Sequence, residues 1–177
     1  MANTVIDPKT TNMVLLVTAL KNAHAMEVEA QQIISRQLDR LKNYPRVEDR
    51  LRVHLVETNT QMRRLDEVLD TVGSESSGFK DMVTGIVGNM AALGHVPMGD
   101  EILKNSFANF AFENFEIAAY KSLFTIAEGM GRPVVVSALM PSLNEERDMA
   151  TWLDHNLIEV TQTFMRLRAT EGVGASH

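Results

Sequence analysis

The sequence contains no cysteine, no long apolar run and no excess of basic residues. Without cysteine there are no disulfides, no thiolate metal ligands and no cysteine nucleophile. No run of about eighteen apolar residues is present, so we expect no membrane partner. The net charge of −6, with scattered basic residues, argues against nucleic acid as a partner. We expect a cytoplasmic location, because the start of the chain lacks the basic region of a signal peptide.

Proline and glycine are few, and they divide the first half of the chain into long helical segments. Pro8 is typical of the first position of a helix, which should run to about Asn43. Pro45 begins a second predicted helix, and Gly73 ends it. A connector helix is predicted at about residues 79–93, weakened by its glycines.

Proline and glycine divide the second half of the chain into helical segments in the same way. A third helix should begin after Asp100 and end at Gly131, and a fourth should begin at Pro133. Pro141 is expected to kink or split that fourth helix, and residues 171–177 should form a frayed tail. The chain is therefore predicted to be one all-α domain over residues 1–177, with its core at about 8–169. Its expected architecture is a ferritin-like four-helix bundle of two antiparallel hairpins, with a short helix in the crossover.

Three glutamates interrupt apolar stripes on these helices. Glu27, Glu113 and Glu146 each occupy a face whose other members, three or four residues apart, are apolar. The stripes comprise Leu20, Ala23, Ala30, Ile34, Leu38 and Leu41; Phe110, Ile117, Tyr120, Phe124 and Ala127; and Leu139, Leu143, Ala150, Leu153, Leu157, Val160 and Phe164. A buried carboxylate is costly unless it is paired, protonated or bound to a metal. Each glutamate alone also fits a bundle-edge residue whose carboxylate reaches water.

The predicted turns place these glutamates at one height. The midpoint of Glu27 and Glu57 falls beside the first turn, and the midpoint of Glu113 and Glu146 falls beside the third. Glu116 lies one helical turn after Glu113 and points to nearly the same face. Glu57 borders the stripe formed by Leu51, Leu55, Thr58, Met62 and Leu65. These five carboxylates are the predicted metal ligands, and two divalent cations would nearly neutralise them.

Nearby polar side chains are candidates for contacts with those carboxylates. His24 and His54 each precede a glutamate by three residues. They could be nitrogen ligands, partners that orient the carboxylates, or members of ordinary surface pairs. Gln61 is a candidate outer amide, and Tyr120 could hydrogen-bond to a ligand carboxylate or belong to the core.

Other charged and aromatic segments have simpler interpretations. Arg63 and Arg64 are interpreted as a solvated helix face, as is the segment that contains Glu145, Arg147 and Asp148. The phenylalanine-rich stretch is interpreted as packing that could include a dimer surface; it comprises Phe107, Phe110, Phe112 and Phe115.

Four segments together carry a family resemblance. They are Met26-Glu27, then His54-Leu-Val-Glu57-Thr58 with Gln61, then Glu113-Asn-Phe-Glu116-Ile-Ala-Ala-Tyr120, and finally Leu143-Asn-Glu145-Glu146. Over residues 14–160 the chain resembles the YciE/YciF-type stress-protein family of the ferritin-like superfamily. The third-helix motif also resembles rubrerythrin, a di-iron peroxidase.

The resemblance implies a di-metal carboxylate centre in a homodimer linked to stress responses. An oxygen-rich ligand set suits iron or manganese, and the small oxidant would be O₂ or hydrogen peroxide. Asn114, a candidate outer contact, stands where the family usually has histidine, and Asn89, Ala150 and Val56 replace acidic residues. Because outer contacts tune a metal centre, the alternative is a non-catalytic metal-binding or helical interaction protein, with an intact or a degenerate site.

Overall fold

The computed structural model describes residues 8–74, 99–171 and 175. They form four helices and no strand: α1 (Pro8–Leu38), α2 (Pro45–Ser74), α3 (Glu101–Gly129) and α4 (Pro133–Glu171). Two hairpins, α1 with α2 and α3 with α4, pack together through α1 against α3 and α2 against α4. The predicted all-α four-helix bundle is confirmed, whereas the predicted crossover helix lies outside the described residues. No described helix is long and apolar enough to cross a membrane.

The first helix is shorter than predicted. It ends at Leu38, because the backbone amides of Arg40 and Leu41 both donate to the carbonyl of Gln37 and turn the chain. The ring of Tyr44 is buried in the connection between the two helices. Apolar residues at helical spacing continue beyond the end of α1, and this spacing alone predicts a longer helix.

The predicted split of the fourth helix at Pro141 is wrong. Proline removes one backbone hydrogen bond and costs about 3 kcal/mol in a helix interior, yet α4 is continuous through it. Leu139 and Leu143, on either side, are almost completely buried and hold both flanking turns against the core. Burial of these neighbours offsets the lost hydrogen bond.

In the described part of the C-terminal tail, the backbone of Ala175 accepts a hydrogen bond from Tyr44. The hydroxyl of Tyr44 donates to the carbonyl of Ala175 at 2.5 Å, and Ala175 is fully buried. Ala175 is therefore fixed against the connection between α1 and α2, while residues 172–174, 176 and 177 of the predicted frayed tail lie outside the described residues.

Two apolar clusters fill the bundle and leave a polar layer between them. The first contains Leu16, Val17, Leu20, Ala23, Met26, Ala30, Leu65, Val68, Val72, Phe112, Tyr120, Leu123, Phe124, Ala127, Val135, Leu139 and Leu143. The second contains Ile34, Tyr44, Val47, Leu51, Ile102, Met149, Leu153 and Val160. On α4, Glu146 lies between Leu143 of the first cluster and Met149 of the second. Apolar packing on both sides therefore separates the polar layer from water.

Candidate metal centre

Every helix of the bundle contributes to the polar layer. Glu27 comes from α1, His54 from α2, Glu113 and Glu116 from α3, and Glu146 from α4. All five side chains are buried, and none is more than 4% exposed. The interruptions in the apolar stripes of α1, α3 and α4 thus converge inside one bundle.

Four of these residues form a compact group. Single ligand atoms of His54, Glu113, Glu116 and Glu146 all lie within 4.8 Å of one another. His54 Nε2 lies 3.3 Å from Glu113 Oε2 and 3.7 Å from Glu146 Oε2. One imidazole nitrogen and three carboxylates around a common point are a possible metal-binding group.

Glu27 adjoins this group from α1. The hydroxyl of Tyr120 donates to Glu27 Oε1 at 2.7 Å, while Glu27 Oε2 is buried and accepts no hydrogen bond. Glu27, Glu116 and Glu146 are close enough that, besides burial, electrostatic repulsion between their carboxylates raises the pKa values of Glu116 and Glu146. Tyr120 therefore orients one carboxylate oxygen and leaves the other available.

Several buried oxygens in this layer accept no hydrogen bond. They are Glu27 Oε2, Gln61 Oε1, Glu113 Oε2, both carboxylate oxygens of Glu116, and Glu146 Oε2. The contact between Glu113 Oε2 and His54 Nε2 has the distance of an ion pair without the geometry of a hydrogen bond. Since buried polar atoms are nearly always partnered, so many unpartnered oxygens need an explanation. Divalent cations supply one, and the oxygen-rich donor set fits them.

Without a metal, the layer favours bound protons. Burial, reinforced by neighbouring carboxylates, raises the pKa of Glu27 to about 8 and that of Glu146 to about 10. The same causes raise the pKa of Glu116 well above its usual value. Burial alone would lower the pKa of His54, but contacts led by Glu113 outweigh it and raise the value to about 10.

Glu57, a predicted ligand, lies outside the compact group. Its Oε2 is 2.9 Å from His54 Nδ1 and 2.9 Å from Arg50 Nη1. Burial acts to raise the pKa of Glu57, but the hydrogen bonds from His54 and Arg50 lower it below the usual value. Glu57 contacts the far side of the imidazole, and Arg50 balances its charge.

Gln61 links two carboxylates of α4. Its side chain is fully buried, and its NH₂ group donates to Glu146 Oε1 and, at 3.1 Å, to Glu145 Oε2. Arg64 forms two hydrogen bonds with Glu145, at 2.6 and 2.9 Å. The interpretation of Arg64 and Glu145 as solvated faces is wrong, because they pair across the α2–α4 interface and are 23% exposed.

Two predicted outer contacts lie elsewhere. His24 Nε2 lies 3.2 Å from Asp66 Oδ1 on α2, and the His24 side chain is partly exposed. Asn114 is exposed, and its side-chain amide donates to the backbone carbonyl of Phe110. Phe110 itself is 40% exposed instead of lying on the buried stripe. The structure brings neither His24 nor Asn114 into the compact group.

Ser142 is not among the predicted site residues. This residue is fully buried, accepts a hydrogen bond from Arg64 at 3.2 Å and donates one to the hydroxyl oxygen of Tyr120. It lies three residues after Leu139 and four before Glu146, so helical spacing alone placed it on the inward face.

Comparison with known proteins supports the fold and gives the family. The chain is similar to the crystal structure of a protein from Xanthomonas campestris pv. campestris, with 25% identity and a TM-score of 0.74. That match covers 90% of this chain and 99% of the other. A family model described as "Domain of unknown function (DUF892)" matches residues 12–166, which include all members of the compact group. The chain therefore belongs to the DUF892 family.

Proposed function

We propose that this protein binds two iron or manganese ions in the polar layer and uses them to react with hydrogen peroxide or O₂ in a stress response. The observation that carries the proposal is the buried group of His54, Glu113, Glu116 and Glu146 with its unpartnered oxygens. Hard oxygen donors suit iron and manganese better than softer metals. Carboxylates that project into four-helix bundles are also how di-metal centres are built.

Charge balance favours a pair of ions over a single one. Four buried glutamates, Glu27, Glu113, Glu116 and Glu146, carry four negative charges when ionised. Two divalent cations neutralise them, whereas one leaves two uncompensated charges in a buried layer. Glu57 adds no net charge, because Arg50 is paired with it.

The chemistry that such a pair supplies is two-electron reduction. When bound, the two ions would supply two electrons for the reduction of hydrogen peroxide, which consumes two protons, forms two water molecules and requires an external reductant. The chain's own contribution is positional. Tyr120 holds Glu27, Glu57 holds His54, and the two apolar clusters exclude bulk water.

Membership of the YciE/YciF-type branch of the ferritin-like superfamily is part of this proposal. It rests on the His54-Leu-Val-Glu57-Thr58 and Glu113-Asn-Phe-Glu116 motifs, and the link to stress responses rests on that resemblance alone. A cytoplasmic location belongs to the same proposal.

A second candidate is a metal-binding protein without turnover. Ala150 favours it, because this residue lies one turn after Glu146 on the inward face and is buried. The related family commonly has an acidic residue near this position. An apolar side chain there removes a possible outer contact, and such contacts tune metal reactivity.

Metal analysis and peroxide consumption test both candidates. Protein loaded with Fe²⁺ or Mn²⁺ without oxygen should contain about two ions per chain. Glu116→Gln with Glu146→Gln should lose them, while Glu67→Gln with Glu128→Gln, at exposed positions, should not. Metal-dependent peroxide consumption supports the oxidoreductase, and bound metal without turnover supports the second candidate. Absence of stoichiometric metal overturns both.

We propose in addition that the protein is a homodimer. Phe107, Phe110 and Phe115 are exposed on the outer face of α3, and between residues 105 and 120 this helix exposes no charged side chain. A contiguous uncharged face is typical of a protein interface. Light scattering after chromatography should give a dimer mass that Phe107→Lys with Phe115→Lys reduces to a monomer; an unchanged mass contradicts this face as the interface.

A further inference from the structure

We propose that Gln61 is a direct metal ligand through its amide oxygen, and that it and His54 are the neutral ligands of the two ions. This inference rests on the proposed di-metal centre and adds an amide ligand to its histidine and carboxylates. It also changes the role of Gln61 from an outer amide to a member of the centre.

The hydrogen bonds of Gln61 leave its carbonyl oxygen unused. The NH₂ group donates to Glu145 and Glu146, while Oε1 is buried and accepts nothing. The reverse orientation is disfavoured, because it would point the carbonyl oxygen at Glu145, a carboxylate that is paired with Arg64. Since both atoms belong to one amide, Oε1 lies within a few ångströms of Glu146 in the polar layer. A buried, unpartnered acceptor at this position points to a cation or a proton donor beside it.

The charges of the centre call for neutral ligands. Two divalent cations are already balanced by the four buried glutamates, so a further carboxylate would leave excess negative charge. Imidazole and amide groups complete a coordination shell without adding charge. On α2, His54 and Gln61 contact the carboxylates and are fully or almost fully buried, whereas the buried hydroxyl of Thr58 donates to the backbone carbonyl of His54.

The spacing of these two residues fits one neutral ligand for each ion. They are seven residues apart on α2, which is two helical turns and about 10 Å along the axis. His54 lies beside Glu113, and Gln61 lies beside Glu146. Two ions about 4 Å apart between them would each be within reach of one side chain from this helix.

The competing role for Gln61 is to position Glu146 by donating a hydrogen bond. Two substitutions separate the roles. Gln61→Leu removes both the oxygen and the donor, whereas Gln61→Glu keeps an oxygen ligand and, when ionised, has no donor. Gln37→Leu is the matched control, because Gln37 is also a buried amide, bonded to Asn109 at 2.8 Å and separate from the carboxylates.

The experiment measures Mn²⁺ stoichiometry by equilibrium dialysis, with circular dichroism to verify folding. We expect about two ions for the wild type, Gln61→Glu and Gln37→Leu, and about one for Gln61→Leu. Crystals of the manganese-loaded wild type should also show an anomalous peak at bonding distance from Gln61 Oε1, a readout that holds even if a variant does not fold.

Each outcome distinguishes this inference from the function on which it rests. Two ions in Gln61→Leu, or anomalous peaks away from Oε1, would overturn amide ligation and leave the di-metal centre standing. A wild type without stoichiometric manganese or iron would overturn the centre itself.

Discussion

His54 and Glu57 form a hydrogen-bonded pair in which Nδ1 lies 2.9 Å from Glu57 Oε2. A neutral imidazole that donates from Nδ1 keeps a lone pair on Nε2. In this structure Nε2 faces Glu113 and Glu146. A carboxylate behind a metal-binding histidine fixes the tautomer and the orientation of the ring. If a metal binds at Nε2, as we propose, the pair would hold the ring of His54 in place and give Glu57 a supporting role.

Substitution of Glu57 should weaken metal binding without removing an ion. We expect Glu57→Ala to lower Mn²⁺ affinity by about 10- to 100-fold with unchanged stoichiometry, because outer carboxylates have effects of that size. Glu113→Ala should instead reduce the stoichiometry. Isothermal titration calorimetry measures both quantities. Glu48→Ala, which breaks an exposed pair with Arg52, is the control. A lower stoichiometry for Glu57→Ala would show that Glu57 is a ligand after all.

The metal-free protein should become less stable as the pH rises above about 4.5. The pKa of Glu27 rises from 4.5 to about 8, and that of Glu146 from 4.5 to about 10. Between these limits the unfolded chain releases protons that the folded protein keeps, so the free energy of unfolding falls with pH. The rise in the pKa of His54 from 6.5 to about 10 acts in the same direction above pH 6.5. Urea denaturation in the presence of a chelator, at pH 5, 6.5 and 8, measures this trend.

A double variant provides the control for that trend. Glu27→Gln with Glu146→Gln removes two of the titrating groups and should flatten the dependence. The lowered pKa of Glu57 acts in the opposite sense, but its contribution is lost only as the pH falls below about 4.5. If the metal-free wild type gained stability between pH 5 and 8, the buried carboxylates would not hold protons as described.

Metal binding should release protons into solution. The same groups that hold protons in the metal-free protein must lose them to become ligands, since metals bind the deprotonated forms. Affinity for Mn²⁺ should therefore increase between pH 6 and 8. Calorimetric titrations in buffers with different ionisation enthalpies detect released protons, and a heat independent of the buffer would contradict the prediction.

Helical spacing predicted most residues of the polar layer, but on α2 it did not identify which of two possible faces is buried. On α2, two series of residues spaced three or four positions apart share Leu51, Thr58 and Leu65. One continues through Leu55 and Met62, and the other through His54 and Gln61. Hydrophobicity favours the first series, but the second is buried, because the glutamates of the other helices offer polar partners there. Those partners are not visible within α2, so the sequence alone left the role of His54 undecided and placed Glu57 in the predicted ligand set.

Backbone features show the same limit. Pro8, Pro45 and Pro133 begin the helices that they were expected to begin, because a proline at a helix start needs no hydrogen-bond donor. Pro141 did not end its helix, because packing of the neighbouring leucines opposes its local effect. Local signals therefore predict the starts of helices well, whereas tertiary packing decides their interior breaks.

Loss of the Tyr120 hydroxyl should destabilise the metal-free protein in a pH-dependent way. Its hydrogen bond lowers the pKa of Glu27, so it stabilises the ionised carboxylate most. Burial, followed by the charge of Glu27, raises the pKa of Tyr120 far above its usual value, so the hydroxyl remains a donor. We expect Tyr120→Phe to lower the free energy of unfolding by about 1–3 kcal/mol, with a larger loss at pH 9 than at pH 6.

The matched control for that substitution is Tyr44→Phe. Tyr44 is also buried, but its hydroxyl donates to the uncharged backbone carbonyl of Ala175. Its loss should cost about 0.5–1.5 kcal/mol equally at both pH values, because the acceptor is an uncharged carbonyl. Urea denaturation of both variants in a chelator makes the comparison. Equal pH dependence for the two variants would mean that Tyr120 contributes packing and an ordinary hydrogen bond, without the preference for ionised Glu27 that a metal ligand requires.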